Sequence, residues 1–284
     1  MKIGIGFPAN IPGVQGRLLI EWAKKADAGP FSSLGLIDRL VYDNYDPLIA
    51  FAAAAGATQR IRLMTTILLA PLYNTALLAK QVASLDAISG GRFTLGVGVG
   101  WREDDYQATG VSFHRRGKIL DEQLATMQHI WSGERFSDAV GPIGPAPVQA
   151  GGPELLIGGS APAAIQRLGQ WGNGFISGGG GPQGANNGFR AAEEVWKAAG
   201  RAGKPRLVGC MYIALGSDGL TRGGNYIRHY YGAWGEGLAK ALPTTIETIK
   251  GAIQAYQDIG TDELIFWPTT TDIEQIDQIA DMLG

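Results

Sequence analysis

The chain has 284 residues, 45% of them hydrophobic and 18% charged, with a formal net charge of −2. That is the composition of a well-packed globule, and the absence of any Lys/Arg cluster argues against nucleic-acid or anionic-membrane partners. No segment approaches the ~18 continuous apolar residues of a membrane span. The short apolar run at Met1 to Phe7 is broken by glycine and lacks a cleavage pattern, and a lone Cys210 forms no internal disulfide, so a reducing, cytoplasmic setting is expected. Glycine is the outlier at 43 residues, implying loops with demanding backbone geometry.

In chain order, Ile3 to Phe7 reads as a strand and Arg17 to Ala28 as an amphipathic helix turning Leu18, Ile20, Trp22 and Ala26 inward. A second strand, Phe31 to Ile37, ends at Asp38-Arg39. Asp46-Pro47 is a helix start, N-cap then first helical position, for the alanine-rich run to Ala57. Ile61 to Ile67 is the third strand, followed by a helix capped by Asn74 and stopped by Gly90. Phe93, Leu95, Val97 and Val99 alternate with Thr or Gly, a buried strand whose glycines make room for another backbone or a flat ligand. Leu120, Leu124, Met127 and Trp131 lie on one face of a helix from about Arg115.

Residues 133–153 are rich in proline and glycine and predict a long irregular connection, of the kind that is often functional. Strand (Glu154 to Ile157), helix (Ala161 to Trp171), strand (Gly174 to Ser177), a turn-rich loop (Gly178 to Gly181) and helix (Phe189 to Ala202) follow. Leu207 to Leu215 is an apolar strand. The aromatic, glycine-interrupted residues 216–243 read as an insertion with short helices. A helix from Thr245 to Ile259, a strand from Glu263 to Trp267 and a final helix capped by Asp272 complete the chain. Eight strands alternating with helices predict a (β/α)8 TIM barrel, one domain over 1–284; a doubly wound open sheet is the competing architecture. The insertions at 133–153 and 216–243 are expected at the C-terminal mouth, as lid and pocket wall.

Catalysis in such a barrel is sought just after each strand, and those positions are poor in catalytic side chains. His114, His129 and His229 fall at no strand end, so no metal cluster is expected, and Cys210 lies mid-strand as core. The strand ends offer backbone instead. Ile157-Gly158-Gly159-Ser160 ahead of a helix resembles a phosphate cradle, and Gly178-Gly179 after the next strand could close round the same anion.

Ser89-Gly90-Gly91-Arg92-Phe93 leading through Leu95 to Trp101, then Arg115 to Glu122, resembles the bacterial luciferase-like flavin-dependent oxidoreductases, also called luciferase-like monooxygenases. Asp46-Pro47-Leu48, Arg62 to Ile67, Tyr73-Asn74, Ala79-Lys80-Gln81, Ser84-Leu85-Asp86 and Trp171 to Phe175 add to the likeness, which weakens beyond Phe189. The resemblance implies a TIM barrel that binds FMN or the deazaflavin coenzyme F-420 at its mouth, a non-proline cis peptide at Thr66-Ile67 behind the ring, and a homodimer. Asp38, Thr66, Gly100, Gly158, Gly159 and Ser160 carry over as cofactor contacts, joined by Ile67 at the bulge and by Gly178 and Gly179 in the second glycine loop.

Relatives that oxidise glucose 6-phosphate place a His after the second strand and a Glu after the fourth. Here Arg39 and Trp101 stand in those places, which argues against that activity. Trp101, Tyr230 and Trp234 are candidate substrate-facing residues, and Glu103, among Asp104 and Asp105, and His229 are candidate proton-transfer groups. The expected activity is hydride transfer to or from a small organic substrate, with F-420 favoured because Gly98-Val99-Gly100-Trp101 is similar to relatives that use it. The alternatives are an FMN-dependent monooxygenase served by a separate flavin reductase, and a non-catalytic barrel that binds a phosphorylated ligand.

Overall fold

In the computed structural model, which describes residues 1–284, eight parallel strands alternate with helices. The strands are β1 (Lys2–Gly6), β2 (Ser33–Leu36), β3 (Arg62–Thr65, resumed at Leu68–Leu69), β4 (Phe93–Gly98), β5 (Glu154–Gly158), β6 (Gly174–Ser177), β7 (Arg206–Ile213) and β8 (Glu263–Pro268). Each pairs with its neighbour in sequence, and β8 pairs back onto β1 with Glu263 opposite Lys2. That last pairing closes the ring, giving the expected (β/α)8 TIM barrel and excluding an open sheet.

The helices are α1 (Gly16–Ala28), α2 (Pro47–Ala57), α3 (Thr75–Ile88), α4 (Glu103–Thr109), α5 (Arg116–Trp131), α6 (Pro162–Gln170), α7 (Gly181–Ala198), α8 (Gly219–Tyr231), α9 (Gly235–Lys240), α10 (Ile246–Asp258) and α11 (Glu274–Leu283). Asp46 and Asn74 cap α2 and α3, accepting from Ile49 N at 2.9 Å and Leu77 N at 3.1 Å. Met64, Leu156, Ile176, Val208, Cys210 and Ile265 fill the barrel interior. Burial raises the Cys210 thiol pKa well above its usual range, which makes it an inert packing residue. Close packing demands glycine here: a Cβ on Gly35 would lie 2.6 Å from Ile265 Cγ2, and one on Gly96 2.7 Å from Ile176 Cδ1.

Several expectations are corrected. α1 buries Leu19, Trp22, Ala23 and Ala26, not Leu18 and Ile20, because the Trp22 indole N–H donates to Gly6 O at 3.1 Å and sets the rotation of the helix. α7 starts at Gly181, two turns before Phe189: Pro182 suits a first turn, and Ala185, Phe189, Ala192 and Trp196 form one buried stripe through the glycines. The last helix has Ile273 at its N-cap, Asp272 Oδ1 accepting instead from Glu274 N at 3.0 Å. α4 forms a short helix of its own beyond β4.

The largest correction concerns residues 133–153. They join α5 to β5 and therefore lie at the amino ends of the strands, opposite the mouth. Val148 N and Gln149 N donate to Asp86 Oδ2 at the end of α3, at 2.7 and 3.0 Å, and Gln149 Nε2 donates to Phe93 O at 2.7 Å. This segment lies at the barrel floor, tied to α3 and β4, and is no substrate lid. Only 216–243, after β7, is an insertion at the mouth.

The floor is held by charge. Arg206 binds both Glu154 and Glu263, and Ser33 Oγ donates to Glu263 Oε1 at 2.5 Å. The Glu263 side chain is 1% exposed. Removing one partner of a buried pair leaves the other uncompensated, so Glu263→Ala is expected to lower the free energy of unfolding by about 3–5 kcal/mol. Urea denaturation checks this, and Glu154→Ala, whose side chain is 22% exposed, should cost less.

Candidate functional site

The mouth is organised by the break in β3. The Thr66–Ile67 peptide is cis, as the resemblance implies, and its flanks are tied by three hydrogen bonds. Thr66 N donates to Leu36 O at 2.7 Å, Asp38 N donates to Ile67 O at 3.2 Å, and Trp267 Nε1 donates to Thr66 Oγ1 at 3.1 Å. The Ile67 side chain projects between the ends of β4 and β5. A Cβ on Gly98 would collide with Ile67 Cδ1, and one on Gly158 would stand 2.6 Å from Ile67 Cγ2. Gly100, with φ +64°, leaves space in the same way for Leu69. Sequence reasoning reserved these glycines for a flat ligand; the space is taken by Ile67 and Leu69, and the half-buried Ile67 offers the flat apolar surface instead.

Asp38 is buried directly behind this shelf. Its Oδ2 accepts from Leu69 N at 2.9 Å, with the Tyr73 hydroxyl at 3.4 Å, so the carboxyl braces the bulge from behind. Burial pushes its pKa up to about 7; the Leu69 N–H opposes the shift, and the nearby Asp46 and Asp105 add to it.

Beside the shelf, the β5–α6 turn presents Gly158, Gly159 and Ser160. Gly159 and Ser160 are exposed, and α6 opens with no side-chain cap. The N–H groups of Ser160, Ala161 and Ala163 have no backbone acceptor. Gly159 has φ +131°, and a Cβ there would lie 2.8 Å from Ala164 Cβ, so only glycine fits this turn. Uncapped amides at a helix N-terminus with a hydroxyl alongside form an oxyanion cradle. Gly178 and Gly179 follow the adjacent strand β6, and Gly179 lies against Leu238 of α9.

The other half of the mouth is covered by α8 and α9. Arg39 is buried and donates to Tyr230 O at 3.1 Å and Val41 O at 2.7 Å, its guanidinium lying over the rings of Tyr42 and Tyr230. Tyr230 is itself buried, so it forms wall material behind the cavity surface. Trp101 and Trp234 are both exposed and meet edge to face at the rim, with centroids 6.1 Å apart. Of the three acids after β4, Asp105 Oδ1 accepts from Leu40 N and Val41 N at 3.1 and 2.7 Å, and Asp104 pairs with Arg102 at 2.5 Å. Glu103 stays exposed on the first turn of α4. His229 Nδ1 meets the Tyr42 hydroxyl at 2.8 Å, whereas His114 is exposed and His129 sits at the end of α5 against Arg135 O at 2.9 Å.

Sequence reasoning missed Arg39 as a clasp between the β2 loop and α8, and missed Arg222 and Asn225 on α8. The spacing of Arg222, Asn225, Tyr226 and His229 is helical and was the available signal, masked by the glycines around it.

Residues 1–234 match the family model described as luciferase-like monooxygenase, and the chain belongs to that family. It is 31% identical over 172 residues to an uncharacterized protein of Mycobacterium tuberculosis, covering 57% of this chain and 60% of that protein. An F-420-dependent glucose-6-phosphate dehydrogenase of Nocardia farcinica is 28% identical over 193 residues, 61% of this chain and 56% of that one. An FMNH2-dependent dimethylsulfone monooxygenase of Pseudomonas putida is 30% identical over 134 residues, 42% and 36% of the two chains. The fold matches a monooxygenase from Streptomyces bottropensis at a TM-score of 0.79 with 20% identity, over 100% of this chain and 98% of that one. It matches an F-420-dependent secondary alcohol dehydrogenase at 0.79 with 18% identity, over 99% and 98%.

The position of Asp38 has a pH signature. An Asp raised in the folded state contributes stability that is present below its unfolded value and lost as pH rises through the folded value. Asp38→Asn keeps an acceptor for Leu69 N–H and carries no charge. Its stability relative to wild type should therefore rise between about pH 4 and pH 8, by up to about 4 kcal/mol. Paired urea unfolding curves across that range test this, a constant difference meaning an ordinary carboxyl.

Proposed function

We propose that this chain is an oxidoreductase that binds coenzyme F-420 at the barrel mouth and moves a hydride between it and a small organic substrate. The observation that carries the reading is the uncapped Gly158-Gly159-Ser160 cradle set beside the Ile67 shelf: an oxyanion site next to a flat apolar surface, which is the shape of a phosphate-bearing ring cofactor. F-420 is preferred over FMN on the form of Gly98-Val99-Gly100-Trp101 and on the longer alignment with the F-420-dependent relative, 193 residues against 134. Residues 1–284 are taken to act as one domain, and a cytoplasmic homodimer is proposed from the resemblance.

When bound, the cofactor supplies the hydride chemistry; the protein contributes binding, orientation and exclusion of water. Ser160 and the free amides of the α6 turn would hold the phosphate, with Gly178 and Gly179 alongside, and Ile67 and Thr66 would back the ring. Trp101, Trp234 and α8 would screen the site from solvent. Glu103 at the rim and His229 Nε2 are the side chains placed to give or take a proton. The second reading is an FMN-dependent monooxygenase supplied by a flavin reductase, favoured by the likeness to the FMNH2-dependent enzyme.

Titration of the cofactor-free chain with F-420 and with FMN separates the two, and failure of both to bind below ~100 μM would favour a non-catalytic barrel. Ser160→Asp places a negative charge in the cradle at an exposed position. It is expected to weaken cofactor binding at least tenfold, about 1.4 kcal/mol, without shifting the thermal unfolding midpoint; unchanged affinity would move the phosphate site elsewhere.

A further inference from the structure

Across the barrel axis from the cradle, a cavity of about 430 Å³ opens between the loop after β1, the loop after β8 and one face of α8. Its polar lining is Arg222, Asn225, Tyr226 and His229 from α8, with Thr270 and Thr271 from the β8 loop; no carboxylate lines it. Arg222 is held loosely. Its contacts to Leu215 O and Asp218 Oδ2 are long, at 3.5 and 3.6 Å, and its Nε is buried without any partner. The guanidinium itself is 40% exposed and keeps donors free for a ligand beyond the Asp218 pair.

The other lining groups from α8 and the β8 loop are polar too. The Tyr42 hydroxyl lies 2.8 Å from His229 Nδ1, which fixes the imidazole and leaves Nε2 as its free ring nitrogen. The Thr270 hydroxyl accepts from Asp272 N at 3.2 Å, leaving its own proton to donate. The Asn225 amide and Thr271 hydroxyl complete the set. A guanidinium, an imidazole, an amide and two hydroxyls around one space, with the Asp218 carboxylate outside the lining, match an oxyanion. The cavity shares a strand end with the site of the bulge: Thr269, on its wall, follows Trp267 by two residues, and the Trp267 indole bonds Thr66.

We propose that this cavity binds the oxyanion of the substrate, a carboxylate or a phosphate monoester, through Arg222, Asn225, His229 and the Thr270-Thr271 hydroxyls. The word substrate rests on the oxidoreductase reading above; the anion site rests on the cavity alone. The chain has three histidines, so ring resonances of histidine-labelled protein report directly on His229. Inorganic phosphate and, separately, acetate are titrated into the full chain, first without and then with cofactor. The expected result is a saturable displacement of the His229 resonances, with His114 and His129 unmoved, and the tighter of the two probes assigns the phosphate or the carboxylate. Arg222→Gln should weaken that binding at least tenfold and Arg222→Lys should restore part of it, while Ser160→Asp, in the opposite cradle, should leave it intact. Unmoved His229 resonances, or equal affinity in Arg222→Gln, would overturn the proposal. Because the first titration needs no cofactor, its failure is distinct from failure of F-420 or FMN to bind.

Discussion

The mouth of this barrel depends on one steric arrangement: Ile67 wedged between two strand ends that carry no Cβ. Gly98 and Gly158 permit the wedge, and a methyl group at either would displace it. The bulge that delivers Ile67 is tied to β2 through Leu36 and Asp38 and to β8 through Trp267. Four strands thus fix one side chain, and with it the apolar shelf beside the β5–α6 cradle. Positions fixed from so many sides hold a geometry that a single loop would not.

Several charges at the mouth are tied to the protein's own groups: Arg39 to backbone oxygens, Asp104 to Arg102 and Asp105 to loop amides. Asp38 sits between protonated and ionised near neutrality because burial opposes its charge. The β5–α6 turn presents backbone amides, and the aromatic wall is built from tyrosines whose burial holds them protonated. The strong ion pairs are at the floor, where Arg206 joins Glu154 and Glu263.

Much of this was legible in the chain. Strand and helix alternation, the caps at Asp46 and Asn74 and the stop at Gly90 depend on local backbone chemistry and are read correctly from residue type. The turn at Gly158-Gly159-Ser160 was legible because a residue at φ > 0 leaves a compositional trace as glycine. The first eight residues of α7 were not, because Gly181 and Gly184 imitate a loop while Ala185 and Phe189 bury against the barrel. Residues 133–153 were assigned to the wrong end, since irregular composition says that a segment is a loop without saying which end of the barrel it closes. Tyr230 looked like a ligand-facing aromatic, and only packing shows that Arg39 and Tyr42 cover it.

The sequence by itself determined the architecture and the two glycine loops, because these follow from periodicity, capping and backbone freedom, all of which act within a few residues of one another; the family was legible as a resemblance of motifs in order along the chain. Tertiary structure alone decided what the glycines of β4 and β5 accommodate, which acids are spent on loops, and how Arg222, His229 and Thr270 come to face one cavity. Those outcomes depend on contacts between segments tens to hundreds of residues apart. Their geometry is set by closure of the ring, and no local pattern encodes it.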